Sequence, residues 1–120
     1  MSSPLLETTF LGACPGLRDE WDAIRRMHGG TSPDDRELLT HVRLHVVGLL
    51  VGGRAAEFTR FSGAVERLLG DADPVLSELL ETQLIQPLAH AVEEARISPS
   101  LVVPHLGGRT RASWTVKRDP

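Results

Sequence analysis

In "RELLTHVRLHVV" (36–47), Glu37, His41 and His45 follow one another at intervals of four. On a helix that interval advances ~6 Å along the axis and drifts only ~40° around it, so the three side chains share one face. Two imidazoles stacked in this way are half of a zinc site, and zinc takes three or four ligands. His90, Glu93 and Glu94 in "AHAVEEA" (89–95) are the candidates for the remainder if their helix packs alongside. HExxH is absent, and no Cys or His cluster completes a short-range site. The simpler reading makes His41 and His45 boundary residues on the shoulder of a buried helix, with Glu37 as an i,i+4 partner. The sequence favours that simpler reading.

Other reactive side chains are sparse. Cys14 sits in "GACPG" (12–16), which carries no nucleophile signature, so a packed thiol is expected. Carboxylates are plentiful, but most fall at helix starts or on polar faces, where they complement the dipole and keep the chain in solution. The glycine pairs at 29–30, 52–53 and 107–108 match no phosphate-loop spacing and read as helix breakers. The tail "GGRTRASWTVKR" (107–118) sets Arg109 and Arg111 close to Trp114. Arginine beside an aromatic residue grips nucleic acid or a protein hot spot in other settings, whereas here docking of Trp114 into the core is the favoured expectation.

Composition narrows the classes. At 120 residues the chain fits one domain, long enough to bury about two thirds of its unfolded surface. A net charge of −3 and a pI near 5.9 argue against sequence-independent binding to nucleic acid or anionic lipid. One cysteine allows no internal disulfide, and "MSSPLLETTF" (1–10) has neither the basic nor the apolar region of a signal peptide. The longest apolar run, "VVGLLVGG" (46–53), is far short of the ~20 residues that cross a membrane. A soluble cytoplasmic protein is the expectation. Lys117 is the lone lysine among 13 basic residues, a bias typical of GC-rich bacterial genomes.

The elements announce themselves by caps. Ser3-Pro4 opens a helix to about Gly12, with Leu6, Phe10 and Ala13 on one side. Leu17, Trp21 and Ile24 mark a second helix, and Ser32-Pro33 followed by Asp34 and Asp35 starts a third. Leu39, Val42, Val46 and Leu49 form the stripe of that third helix. Leu44, Val47 and Val51 lie off the stripe, which predicts a helix apolar nearly all round and therefore central. The fourth runs through Ala55, Phe58, Phe61, Val65 and Leu68, with Gly70 placed as a C′ glycine. Asp73-Pro74 opens the fifth, where Pro87 predicts a kink or a brief break. Residues 97–108 read as an irregular connector in which "SLVV" could form a brief strand, and 109–118 as a short docking segment.

Three stretches resemble an uncharacterised family of small helical bacterial proteins. "FLGACPGLRDEW" (10–21) is similar to its opening, "FSGAVERLLGDADPVLSELLETQLIQPL" (61–88) to its middle, and "HLGGRTRASW" (105–114) to its close. The close of that family carries a proline where this chain has Gly108. The resemblance implies a role beside bacterial toxins, as an immunity protein, and implies no catalytic residues.

The sequence therefore predicts a single all-α domain, a bundle of five to six helices with its C-terminal segment folded back. The favoured function is a protein-binding module that blocks a cognate toxin by contact, with no cofactor. Asp71, Asp73, Glu78 and Glu81 form the first candidate face, and Arg109, Arg111 and Trp114 the second. The alternative is a metal-dependent protein using Glu37, His41, His45 and His90. A homodimer pairing the apolar faces of residues 44–51 is compatible with either.

Overall fold

Side-chain caps and left-handed turns divide the chain into helices. In the computed structural model, residues 4–30 and 34–118 are described, Pro4 and the last four of these by their backbone only. Seven α-helices appear among them: α1 (Pro4–Ala13), α2 (Arg18–Met27), α3 (Asp35–Val51), α4 (Ala55–Asp71), α5 (Pro74–Leu80), α6 (Gln86–Glu94) and α7 (Gly108–Arg118). No strand occurs among the described residues, and the fold is all-α. Because α5 and α6 form one helix joined by a π-turn, the count agrees with the six segments read from the sequence.

Asp34, not Ser32, caps α3, its Oδ1 accepting from the Glu37 N–H at 3.0 Å. Ser32 and Pro33, like Ser3, lie outside the described residues. Asp73 caps α5 in the same way, accepting from the Leu76 N–H at 2.8 Å with Pro74 at the first helical position. At the other end of α3, Gly53 takes a φ of +72° while the Arg54 N–H reaches the Leu49 carbonyl at 2.8 Å. That is a Schellman closure, and it needs a residue that tolerates a positive φ. The end of α6 uses the same closure with Arg96, at φ +57°, in the glycine position.

Pro87 acts one turn earlier than expected. It lacks an N–H, and its ring would collide with the Gln83 carbonyl in a regular helix. The chain answers with a π-turn over Glu81–Ile85, in which the Gln86 N–H reaches back five residues to the Glu81 carbonyl. The expected strand at "SLVV" is replaced by two 3₁₀ turns, Pro99–Leu101 and Val103–His105. Gly70 is not a C′ residue, because α4 runs through it to Asp71. Its bare surface instead accommodates the Arg109 guanidinium, which lies over it.

One core joins the helices. Leu6 and Phe10 of α1, Trp21 of α2, Val42 and Val46 of α3, and Phe58, Phe61 and Val65 of α4 are all buried. The rings of Phe10, Phe61 and Phe58 follow one another with centroids 6.0 Å apart. The helix in the middle is α4, which meets α1, α3, α5 and α7. α3 is less enclosed than its composition predicts: Leu44 and Val51 are 59% and 70% exposed, so the face they share is open.

The C-terminal segment is held by a carboxylate from another helix. Glu66 of α4 accepts the backbone N–H of Arg109 with both oxygens at 3.1 Å, and that of Thr110 at 3.2 Å. The Thr110 hydroxyl (3.3 Å) and the Arg109 guanidinium (3.2 Å) complete the set. Glu66 thus caps the start of α7 from outside, where orphan N–H groups and the helix dipole favour a negative charge. A Cβ on Gly107 would overlap that carboxyl group, so a larger residue there would have to push Glu66 away from the start of α7. Gly108, where the resembling family has proline, is the first residue of α7. Trp114 is then buried in the core.

Desolvation alone would raise the Glu66 pKa, but the donors of α7 outweigh it and hold the carboxyl below its ordinary range. This stabilisation is complete above the unfolded-state pKa and is lost as pH falls through the folded-state value. Urea unfolding should show Glu66→Ala less stable by about 2 kcal/mol at pH 7, the cost of leaving charge-assisted bonds unmade. The difference from wild type should shrink as pH falls below the ordinary carboxylate range. Arg96→Gly should raise stability by up to about 1 kcal/mol, since it relieves the left-handed backbone at the α6 terminus.

Candidate functional site

The metal candidates are dispersed. His41 projects toward α2, where its Nδ1 lies 3.3 Å from a Glu20 oxygen without hydrogen-bond alignment, and its ring meets Trp21 edge-on at 6.0 Å. His45 packs over Gly16, so close that a Cβ on that glycine would stand 3.2 Å from the ring. Glu37 faces His28 at 3.9 Å, and His90 pairs with Glu94 on the exposed side of α6 at 2.9 Å. Among the described residues no group of three or more His, Cys, Asp or Glu is placed to hold a metal. His41 and His45 share a face of α3, as their spacing requires, and that face is half-buried against α2 and the 3₁₀ turn before it.

Cys14 is wholly buried where α1 gives way to the 3₁₀ turn of Pro15–Leu17. Burial pushes its thiol up to about 11, with the Glu57 charge adding to the rise and Arg60 opposing it. A thiol that stays protonated at neutral pH is a packing group.

The two predicted partner faces fare differently. In the tail, Arg109 is bound to Glu66, Arg111 donates to the Val103 and Leu106 carbonyls at 3.2 and 3.1 Å, and Trp114 is buried. That cluster fastens the connector and α7 to the body, so it lacks the exposed aromatic anchor that a hot spot needs. In the acidic set, the Asp73 carboxylate is committed to capping α5, Glu81 is half-buried in the π-turn, and Asp71 and Glu78 are exposed. Asp71 belongs to a different feature, a concavity beside α4.

That concavity is a groove of about 640 Å³ between α1 and α4, closed at one end by Leu76 of α5. From α4 come Ala56, Thr59, Arg60, Gly63, Ala64, Arg67, Leu68 and Asp71, a stripe following the axis for four turns. From α1 come Leu5, Thr9, Gly12 and Ala13. The depth has a simple origin, since Gly12, Ala56, Gly63 and Ala64 are too small to fill the space between two helices. Nothing lies within 4 Å of where a Cβ on Gly12 would stand, and only the Arg67 guanidinium, at 3.8 Å, does so for Gly63. Arg60 and Arg67 are exposed, and neither has a carboxylate partner among the described residues. Leu5 adds an apolar edge that is 58% exposed.

Sequence reasoning missed Arg60 and Arg67, although a signal was present. Two arginines seven apart bracket a lone glycine inside the most regular amphipathic helix of the chain, and an isolated helical glycine usually reflects close packing or an open surface. Comparison with known proteins adds no function: no family model, curated protein or solved structure matches this chain.

These assignments give one solution test. Cys14 should react with a disulfide reagent at pH 8 only as fast as the chain unfolds, and equimolar zinc should leave the melting temperature unchanged. Rapid labelling of the folded protein, or a zinc-dependent rise in melting temperature, would contradict the packing roles given to Cys14 and to the His41/His45 pair.

Proposed function

We propose that this protein is a protein-binding module that acts by contact, in the manner of an immunity protein occluding a bacterial toxin. The observation that carries the reading is the α1/α4 groove, with apolar edges and two exposed arginines that form no ion pair with a carboxylate among the described residues. Its lining is suited to recognition: small and apolar side chains for shape, arginines and threonines for polar contacts, and no nucleophile beside a base. A volume of this size between rigid helices is also a ready-formed concavity, which lowers the cost of ordering on association. The motifs at 10–21, 61–88 and 105–114 support a toxin as the partner class, and the cytoplasm of a bacterium as the place of encounter.

The acidic set of the sequence reading has a smaller part here. Asp71 stands at one end of the groove and Glu78 is exposed on α5, so together they can steer a basic region of the same partner. The test is affinity capture with the tagged full chain, followed by co-expression of the captured protein. The expected outcome is one stoichiometric partner whose growth inhibition the chain suppresses. Failure to retain any stoichiometric protein, or a partner whose activity is unaffected, would overturn the proposal.

A further inference from the structure

We infer that the α1/α4 groove receives an amphipathic helix of the partner, bearing two acidic residues seven positions apart. The inference rests on the binding-module reading and names the chemistry of its occupant. Shape comes first. The α4 residues of the lining recur at steps of three and four from Ala56 to Asp71, so the trough follows a helix axis for ~22 Å. α1 supplies the second wall, with Leu5, Thr9 and Gly12 on successive turns. Two helical walls with small residues between them offer the seat into which the ridge of a third helix fits. An enclosed pocket for a small molecule would need a roof, whereas Leu5, Gly12, Ala56, Arg60 and Arg67 are exposed.

Charge selects among helices. Arg60 and Arg67 are two turns apart, ~10 Å along α4, and both stand on the groove. Acidic residues at i and i+7 of a helix laid along the trough match that spacing, with apolar residues between them reaching the floor at Ala64 and Leu68. Asp71 at the C-terminal end of α4 favours the positive N-terminal end of the guest dipole. The guest therefore runs antiparallel to α4.

The experiment is selection of a displayed library of 18-residue helical peptides against the full-length chain. The expected winners carry an apolar face and two acidic residues seven apart. Their affinity falls at least tenfold with Gly63→Leu, which plugs the groove from α4, and with Gly12→Leu, which plugs it from α1. The R60E/R67E chain loses these peptides and selects basic ones instead. Two plugging variants are used so that one that fails to fold, as judged by circular dichroism, leaves the other informative.

Winners that bind the plugged chains undiminished, winners without the acidic pair, or no enrichment at all would overturn the inference. So would sedimentation showing a dimer that Gly63→Leu dissociates, which would make the occupant a second copy. A small amphipathic anion retained in native mass spectrometry and lost on plugging would overturn it as well. A captured partner held equally by wild type and Gly63→Leu would remove the groove from the account while leaving the binding-module reading intact.

Discussion

The structure depends on the demand that one helix, α4, satisfy several neighbours at once and leave one side open. Its apolar face, with Phe58, Phe61, Val65 and Leu68, is buried against α1 and α3. A third direction carries Glu66, whose carboxylate organises the start of α7 and draws Trp114 into the core. A fourth carries Arg60, Gly63 and Arg67, and it stays open. The same 17 residues thus set the core, hold the tail and shape the groove. Loss of the Glu66 contacts would loosen the start of α7, which the buried Trp114 and the Arg111 bonds still hold, while leaving the Phe10, Phe61 and Phe58 cluster in place.

Much of the architecture was legible because its signals are local. The Asp73-Pro74 start of α5 and the Gly52-Gly53 end of α3 depend on residues within one turn, and capping chemistry reads directly from such windows. The all-α class followed from helical periodicity in the same way. What escaped was set by tertiary context. Gly70 has the local look of a terminator, yet α4 continues through it, and the space it leaves is taken by Arg109 from 39 residues further along. Pro87 announced a disruption but not its form, because a π-turn and a kink are alternative answers to one missing N–H. The all-round apolarity of α3 predicts a central helix, but it does not reveal on which side the neighbouring helices lie, and Leu44 and Val51 are exposed.

The candidate site was the least legible part, for a related reason. Chemistry-bearing residues catch attention in a sequence, and here those residues are mostly occupied with structure. His41 rests on Trp21, His45 on Gly16, Arg111 holds carbonyls of the connector, and Asp73 caps a helix. A groove, in contrast, is made by what is missing. Glycine and alanine at Gly12, Ala56, Gly63 and Ala64 carry no functional signal until two helices are laid side by side. The arginines beside them gain meaning only from forming no ion pair among the described residues, which is a three-dimensional fact.

The central claim is that the α1/α4 groove is the working surface. Amide hydrogen–deuterium exchange of the chain alone and bound to its captured partner tests it most directly. Added protection is expected in α1 and along α4 from Ala56 to Asp71, with α7 as protected before binding as after. Added protection confined to α7, to the exposed α3 face at Leu44 and Val51, or to α5 around Glu78 would contradict it.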